Sequence, residues 1–273
     1  MDKRFRHYNK DLAIVLSCFG SVVEQQKYIR LKEFVESKFE AADLFTAFQS
    51  RMVIKKLAKN GEEYKTLTQT LADVDALGYK RVVVVSINLF PTDEHQLVKR
   101  IADGFNTFSE SYIKITDAIF NKTKYTTKAL QAISDKFKSE DTANLFIIHG
   151  TPKLETIGTA SIDYAGGFLS KIAKRNHFCS LEGAYPFHAV KDSIIEEIKD
   201  KGFKKVKVIP LLLVSGNHFD NDAVEIQEAM DGYFETSIAM DGGEKFALIE
   251  EDYILDIIVA EIKEEIKKTE INK

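Results

Sequence analysis

Four side chains that can bind a metal ion or move a proton stand at or near the ends of apolar runs. His149 comes directly after the run Leu145–Ile148, and His218 lies a few positions beyond the run Val206–Val214. Glu182 follows a weaker apolar run in the same way, and Glu94 lies a few positions beyond a fourth run. Imidazole and carboxylate together suit a divalent first-row metal, and a neutral imidazole is the natural proton acceptor near pH 7. The residue types therefore favour a metal site or general-base chemistry.

Each of these residues has a plainer interpretation. A histidine after a strand is often an ordinary loop residue, although both histidines here have a glycine close by, Gly150 and Gly216. A glutamate after a strand often does no more than complement the positive end of the next helix. Both interpretations stay open from the residues alone.

The elements that must hold these side chains alternate along the chain. Apolar, β-branched runs typical of buried parallel strands are separated by stretches with the spacing of amphipathic helices. This order predicts βαβ units and a parallel sheet covered by helices on both faces. In such sheets ligands bind beyond the carboxyl ends of the strands, where the four side chains would lie. The predicted strands are Leu12–Leu16, Leu44–Phe48, Val82–Leu89, Leu145–Ile148, Phe178–Leu181 and Val206–Val214.

The chain also repeats itself. The segment Gly78–Val82 reads glycine, aromatic, lysine, basic, valine, and Gly202–Val206 reads the same 124 positions later. This predicts two duplicated α/β halves, 1–125 and 126–250, with a C-terminal helix at 251–273 that could pack back on the first half. The alternative is that any two βα units look alike.

The 124-position offset places Glu94 in the first half where His218 stands in the second. Glu94 is therefore a candidate catalytic residue, as a proton acceptor or a further ligand. The alternative is that it only caps the helix that begins nearby.

Composition excludes several classes of protein. Of 273 residues, 44% are apolar and 29% charged, as in an ordinary globular chain. The net charge of −4 argues against a general nucleic-acid surface. No run approaches the length of a membrane span, and two distant cysteines, Cys18 and Cys179, form no disulfide framework. The expectation is a cytoplasmic protein without nucleic-acid or membrane partners.

Several common catalytic motifs are missing from the sequence. It contains no G-x-x-x-x-G-K-[ST] phosphate loop, no G-x-G-x-x-G after a strand, no H-E-x-x-H and no G-x-S-x-G. The sequence therefore gives no support for a nucleotide-binding protein, a zinc protease or an esterase of these common types.

Five segments, taken together, resemble the anaerobic sirohydrochlorin cobalt chelatases, the class II chelatases of cobalamin biosynthesis. They occur in the family's order over most of the chain. The segments are LAIVLSCFGS (12–21), DLFTAFQSRMVIKKL (43–57), FIIHG (146–150), EGAYP (182–186) and VIPLLLVSGNHFDND (208–222).

The resemblance implies two similar α/β domains, each with a parallel sheet flanked by helices, facing one another across an active-site cleft. It implies ATP-independent insertion of Co²⁺ into sirohydrochlorin or precorrin-2, with no cofactor beyond the substrate metal. By matching motifs, His149 is implied as proton acceptor and metal ligand, Glu182 and His218 as further metal ligands, and Glu94 as part of the acidic pair after the long first-half strand.

Two alternatives remain from the sequence. The metal could be Fe²⁺ or Ni²⁺, because imidazole and carboxylate bind these ions with affinities ordered mainly by the metal. The protein could also be a non-catalytic carrier of a tetrapyrrole or a metal. Assembly into a homo-oligomer is left open.

Overall fold

The computed structural model describes residues 6–216 and 219–270. The chain forms two compact units. One comprises the described residues of Met1–Ile119 and of Ile254–Lys273, and the other comprises those of Phe120–Tyr253. Each unit has one four-stranded parallel sheet with helices between its strands. The predicted fold class, two similar α/β units each with a parallel sheet flanked by helices, is confirmed.

The elements of the first unit follow one another as a strand–helix alternation with one extra helix. They are β1 (Lys10–Cys18), α1 (Gln25–Lys38), β2 (Asp43–Phe48), α2 (Arg51–Lys59), α3 (Leu67–Ala76), β3 (Tyr79–Ile87), α4 (Asp93–Phe105) and β4 (Tyr112–Ile115).

The elements that follow along the chain repeat this alternation and end with the C-terminal helix. They are α5 (Thr123–Lys136), β5 (Thr142–Gly150), α6 (Thr159–Ile172), β6 (Asn176–Glu182), α7 (Phe187–Asp200), β7 (Lys205–Pro210), a π-helical turn (Phe219–Ala223), α8 (Val224–Asp231), β8 (Glu235–Ile238), the short strands β9 (Met240–Asp241) and β10 (Glu244–Lys245), a 3₁₀ turn (Leu248–Glu250) and α9 (Asp252–Glu270).

The two sheets have the same strand order. The first runs β2-β1-β3-β4 and the second β6-β5-β7-β8, all parallel. Ala13 pairs with Val82 in the first, and Ala143 pairs with Val206 in the second. Since Val206 follows Val82 by the 124-position offset of the repeat, the second sheet reproduces the first in both order and register.

The central strands are buried because helices cover both faces of each sheet. Burial reaches every residue from Leu12 to Cys18 in β1 and from Val82 to Ile87 in β3. The helix α3 shows how the sequence fixes a helix start. The Thr66 side chain accepts a hydrogen bond from the Gln69 amide, and the Gln69 side chain accepts one from the Thr66 amide.

The predicted strand Val206–Val214 is too long at its carboxyl end. Strand β7 stops at Pro210, and its last bond to β5 is the one from the Leu211 amide to the Ile147 carbonyl, at 2.8 Å. Beyond it the chain pairs elsewhere, since the Leu212 and Leu213 carbonyls accept hydrogen bonds from the Leu248 and Ile249 amides. The short strands β4 and β8 and the helices α2 and α8 are not among the sequence-based predictions.

The C-terminal helix α9 belongs to the first unit from Ile254 onward. The buried guanidinium of Arg81 on β3 holds its end by an ion pair of 3.1 Å to Glu270, and its other edge makes a 2.6 Å ion pair with Asp11. No helix in the described part of the chain is long and apolar enough to span a membrane.

Candidate functional site

The structure brings together two of the predicted site residues. His149 and Glu182 lie at the carboxyl ends of the neighbouring strands β5 and β6, where Gly150 pairs with Glu182. His149 Nδ1 is 3.5 Å from Glu182 Oε1, and each side chain is 42% exposed. An imidazole and a carboxylate thus share one solvent-accessible position at the edge of the second sheet.

Two glycines make this close approach possible. Gly150 has φ +82°, and a Cβ there would stand 1.9 Å from the Glu182 carbonyl oxygen. Gly183 has φ +81°, and a Cβ there would stand 2.0 Å from the Thr151 carbonyl oxygen. Any side chain at either position would push the two strand ends apart, and glycine alone adopts these φ angles at low cost. The glycines therefore hold His149 next to Glu182.

The hydrogen bonding of His149 indicates which ring nitrogen carries the proton. Its Nδ1 is 3.3 Å from the Gly150 carbonyl oxygen, which can only accept. The nearby Glu182 carboxylate favours the same Nδ1–H. An imidazole protonated on Nδ1 has its lone pair on Nε2, the form that can bind a metal or accept a proton.

The loop after Glu182 carries a strained residue. Tyr185 has φ +58°, a left-handed conformation unusual for an aromatic residue, and its side chain is 58% exposed. The loop folds back on β6, because the Ser180 amide donates to the Tyr185 carbonyl at 3.0 Å and the Ser180 hydroxyl donates to the Ala184 carbonyl at 2.5 Å. Strain of this kind concentrates at functional sites. The motif Glu182–Pro186 marks the loop in the sequence, but not its conformation.

Glu94 lies in the first unit, in the opening turn of α4. Its side chain is exposed, and its Oε2 accepts a hydrogen bond of 2.8 Å from the Thr92 hydroxyl. A carboxylate at this position complements the positive end of the helix dipole. The local contacts of Glu94 are therefore those of a helix-terminal residue, and its catalytic role stays a prediction.

His218 lies outside the described residues. In the described part of the chain, no three His, Cys, Asp or Glu side chains cluster as a metal site would require. The structure thus places one imidazole and one carboxylate of the predicted ligand set side by side, and the metal-binding role of all three residues stays a prediction.

Two other histidines, His95 and His177, are buried in the protein. His95 is buried at the start of α4, where its Nδ1 is 2.8 Å from the Ser86 hydroxyl, and burial lowers its pKa. His177 is buried at the start of β6, and burial lowers its pKa to about 4. Both cysteines are also buried, which raises the pKa of each thiol. None of these groups faces solvent as His149 and Glu182 do.

Comparison with known proteins adds family information to this geometry. Residues 12–267 match the model of a family described as Cobalt chelatase (CbiK). A sirohydrochlorin cobaltochelatase of Salmonella typhimurium is 26% identical over 183 residues, 66% of this chain and 66% of the relative. The aligned segment therefore spans just under two thirds of that protein.

Two solved structures share the fold. SirB from Bacillus subtilis with Fe³⁺ superimposes with a TM-score of 0.67 and 14% identity, over 93% of this chain and 95% of the other. The sirohydrochlorin chelatase SirB from Bacillus subtilis subspecies spizizenii, in complex with cobalt, gives a TM-score of 0.61 and 14% identity, over 93% and 94%. At this identity the likeness extends to the architecture.

Proposed function

Because the chain belongs to the cobalt chelatase (CbiK) family, we propose that it inserts Co²⁺ into sirohydrochlorin. The observation that carries the proposal is the family match over residues 12–267, which spans both units and includes His149 and Glu182. The curated relative, named for this same activity, supports it. The metal ion is a substrate, and no other cofactor is part of the proposal.

The reaction exchanges protons of the macrocycle for a metal ion. The macrocycle loses two pyrrole N–H protons and gains one divalent metal ion, so that two protons leave for each ion inserted. The site must hold the metal near the ring nitrogens and accept protons as they depart. An exposed imidazole next to a carboxylate has both capacities.

His149 is the proposed proton acceptor and first metal ligand. Its Nδ1–H is held by the Gly150 carbonyl and the Glu182 carboxylate, so that Nε2 receives the metal or the proton. While it is held at Nδ1, Glu182 stabilises the imidazolium formed when His149 takes a proton. In its proposed role as a further metal ligand, the carboxylate leaves Nδ1 and turns to the metal, because a metal on Nε2 lies on the opposite side of the ring. His218 is the proposed third ligand and Glu94 the acceptor for the other proton.

The direct test is metallation in solution. Metal-free sirohydrochlorin is mixed with the protein under anaerobic conditions at buffered free Co²⁺, and the change in the absorption spectrum is followed. We expect a rate well above the protein-free control. Equal rates with and without protein, together with stoichiometric binding of the macrocycle, would show a carrier.

The same assay decides the metal. Fe²⁺ and Ni²⁺ are offered at matched free concentrations, singly and in competition with Co²⁺, because binding affinities alone follow the metal more than the site. The proposal expects the largest kcat/KM for Co²⁺. The variant His218→Ala should raise the apparent KM for Co²⁺ if His218 is a ligand.

A further inference from the structure

Helix α2 exposes a row of positive charge. Its sequence, RMVIKKLAK, contains four basic residues and no acidic residue. Leu57 is buried and Val53 and Ile54 are half-buried, so the inner face of the helix is apolar. The outer face consists of the exposed side chains Arg51, Lys55, Lys56 and Lys59, here named the α2 basic face.

These charges have no carboxylate partners in the described part of the chain. Some lysines of other helices are paired, as Lys32 with Glu36 in α1 and Lys268 with Glu264 in α9. What distinguishes α2 is that four cations and no carboxylate fall within nine residues, so that positive charge is concentrated on this helix. It indicates a surface that meets an anion.

The α2 basic face begins at the carboxyl edge of the first sheet. Two residues separate the end of β2 from the start of α2, and the side chain of the second, Ser50, accepts a hydrogen bond from the Val53 amide. The Ser50 amide also donates to the Phe19 carbonyl at 3.1 Å, which places the residue after β1 beside the start of α2. This is the edge at which parallel sheets bind ligands.

Apolar side chains are exposed at the same edge. Phe19 is 47% exposed and Met52 is 66% exposed, and Val22 and Val23, in the loop after β1, are also exposed. Several apolar groups exposed together beside cations are typical of a binding surface.

The internal repeat shows which residues of the second unit correspond to those at this edge of the first. Cys18 pairs with Phe48 in the first sheet as Ile148 pairs with Ser180 in the second. Phe19 therefore occupies the position that His149 has in the second unit, and by the same register Ser50 occupies the position of Glu182. One copy of the edge carries an imidazole and a carboxylate, and the other an aromatic ring, a hydroxyl and a basic helix.

We propose that the α2 basic face, with Phe19 and Met52, binds the macrocycle, and this inference rests on the proposed function. Sirohydrochlorin is a flat, largely apolar ring with many peripheral carboxylates. Phe19 and Met52 pack against the ring, while Arg51 and Lys55 pair with carboxylates at its rim. Arg51 and Lys55 are one helical turn apart on the same side of α2, so that neighbouring carboxylates meet both.

The test is direct binding of metal-free sirohydrochlorin, which requires no catalysis. The double variant Arg51→Gln/Lys55→Gln is compared with Lys263→Gln/Lys267→Gln. The control removes the same two charges, at the same spacing, from exposed positions of α9. We expect the α2 variant to raise Kd about three- to tenfold and the control to leave it within twofold. Circular dichroism melting verifies that both variants fold.

A salt series provides a second measurement on the same proteins. Raising salt from about 50 mM to about 500 mM should weaken binding by wild type and control, and by the α2 variant much less, because salt screens the exposed pairs that this variant lacks. Met52→Gln should also raise Kd, and the ratio of its Kd to that of the wild type should be the same at both salt concentrations, because the contact it weakens is apolar.

The outcomes separate this inference from the proposed function. If wild type binds and metallates the macrocycle while both double variants bind alike, the α2 assignment is wrong and the function stands. If wild type neither binds nor metallates it, both fail. Binding of anionic phospholipid vesicles, lost in the α2 variant without any effect on sirohydrochlorin, would overturn the inference in favour of a membrane surface.

Discussion

His149 Nδ1 lies 3.5 Å from Glu182 Oε1, across the pairing of two parallel strands that are distant in sequence. Neither strand end alone makes a site. The contact depends on the β5–β6 register, which sets Gly150 opposite Glu182, and on two glycines that admit the close approach of the chains.

Removing the imidazole should abolish metallation. We expect His149→Ala to lower the rate of Co²⁺ insertion by at least about 100-fold, because it removes the proton acceptor and a ligand together. Glu182→Gln should lower it about tenfold, since the amide preserves the shape but not the charge that stabilises imidazolium. Single-turnover absorbance measurements give both rates. His188→Ala, at an exposed imidazole on α7, is the control, and wild-type kcat in His149→Ala would contradict the assignment.

Gly150 should tolerate no side chain. In Gly150→Ala the new Cβ would meet the Glu182 carbonyl oxygen at 1.9 Å, at a φ of +82°. We expect a loss of at least about 2 kcal/mol of unfolding free energy, measured by urea titration, from the steric overlap and the left-handed backbone.

The matched control for this glycine is Gly167→Ala in the middle of α6, where a Cβ would meet nothing within 4 Å. That variant should gain about 0.5–1 kcal/mol, because alanine favours a helix interior over glycine. Equal effects at the two positions would show that the strand ends separate without cost.

Glu94 is tested against its neighbour on the same helix turn. We expect Glu94→Gln to lose at least about tenfold in kcat/KM, equivalent to about 1.4 kcal/mol of transition-state stabilisation. Asp93→Asn removes a charge from the same turn of α4 and is the control. If both variants keep full activity and only lower the melting temperature, Glu94 serves the helix terminus and the Thr92 contact, and the catalytic assignment fails.

His177 should make the protein sensitive to acid. Burial lowers its pKa from 6.5 to about 4, so the folded chain resists a proton that the unfolded chain accepts. Stability from this group is complete above pH 6.5 and is lost as pH falls toward 4, with a total of about 3 kcal/mol.

The measurement is the unfolding free energy between these pH values. We expect His177→Asn to flatten its dependence on pH, whereas the control His188→Asn, at an exposed position, should keep the wild-type slope. Two charged groups face the His177 ring. The Glu197 carboxylate lies 3.4 Å from His177 Nδ1 and is 56% exposed, whereas the positive charge of Lys201 opposes protonation of His177. An unchanged slope in His177→Asn would assign the acid sensitivity to other groups.

The sequence by itself determined the fold class and the repeat. Long apolar runs separated by helical spacing leave a parallel sheet as the arrangement that buries them, and the repeated Gly78 and Gly202 segments indicate two copies. It also placed His149 and Glu182 at strand ends, because a strand end is a local feature of the chain.

Only the tertiary structure decided which strand ends meet. The contact between His149 and Glu182, the equivalence of Phe19 with His149, and the pairing of Arg81 with Glu270 all join residues that are far apart in sequence. The pattern of apolar residues along the chain does not predict the register between strands that are distant in sequence. Nor does it predict the left-handed conformation of Tyr185, which the hydrogen bonds between its loop and Ser180 hold in place.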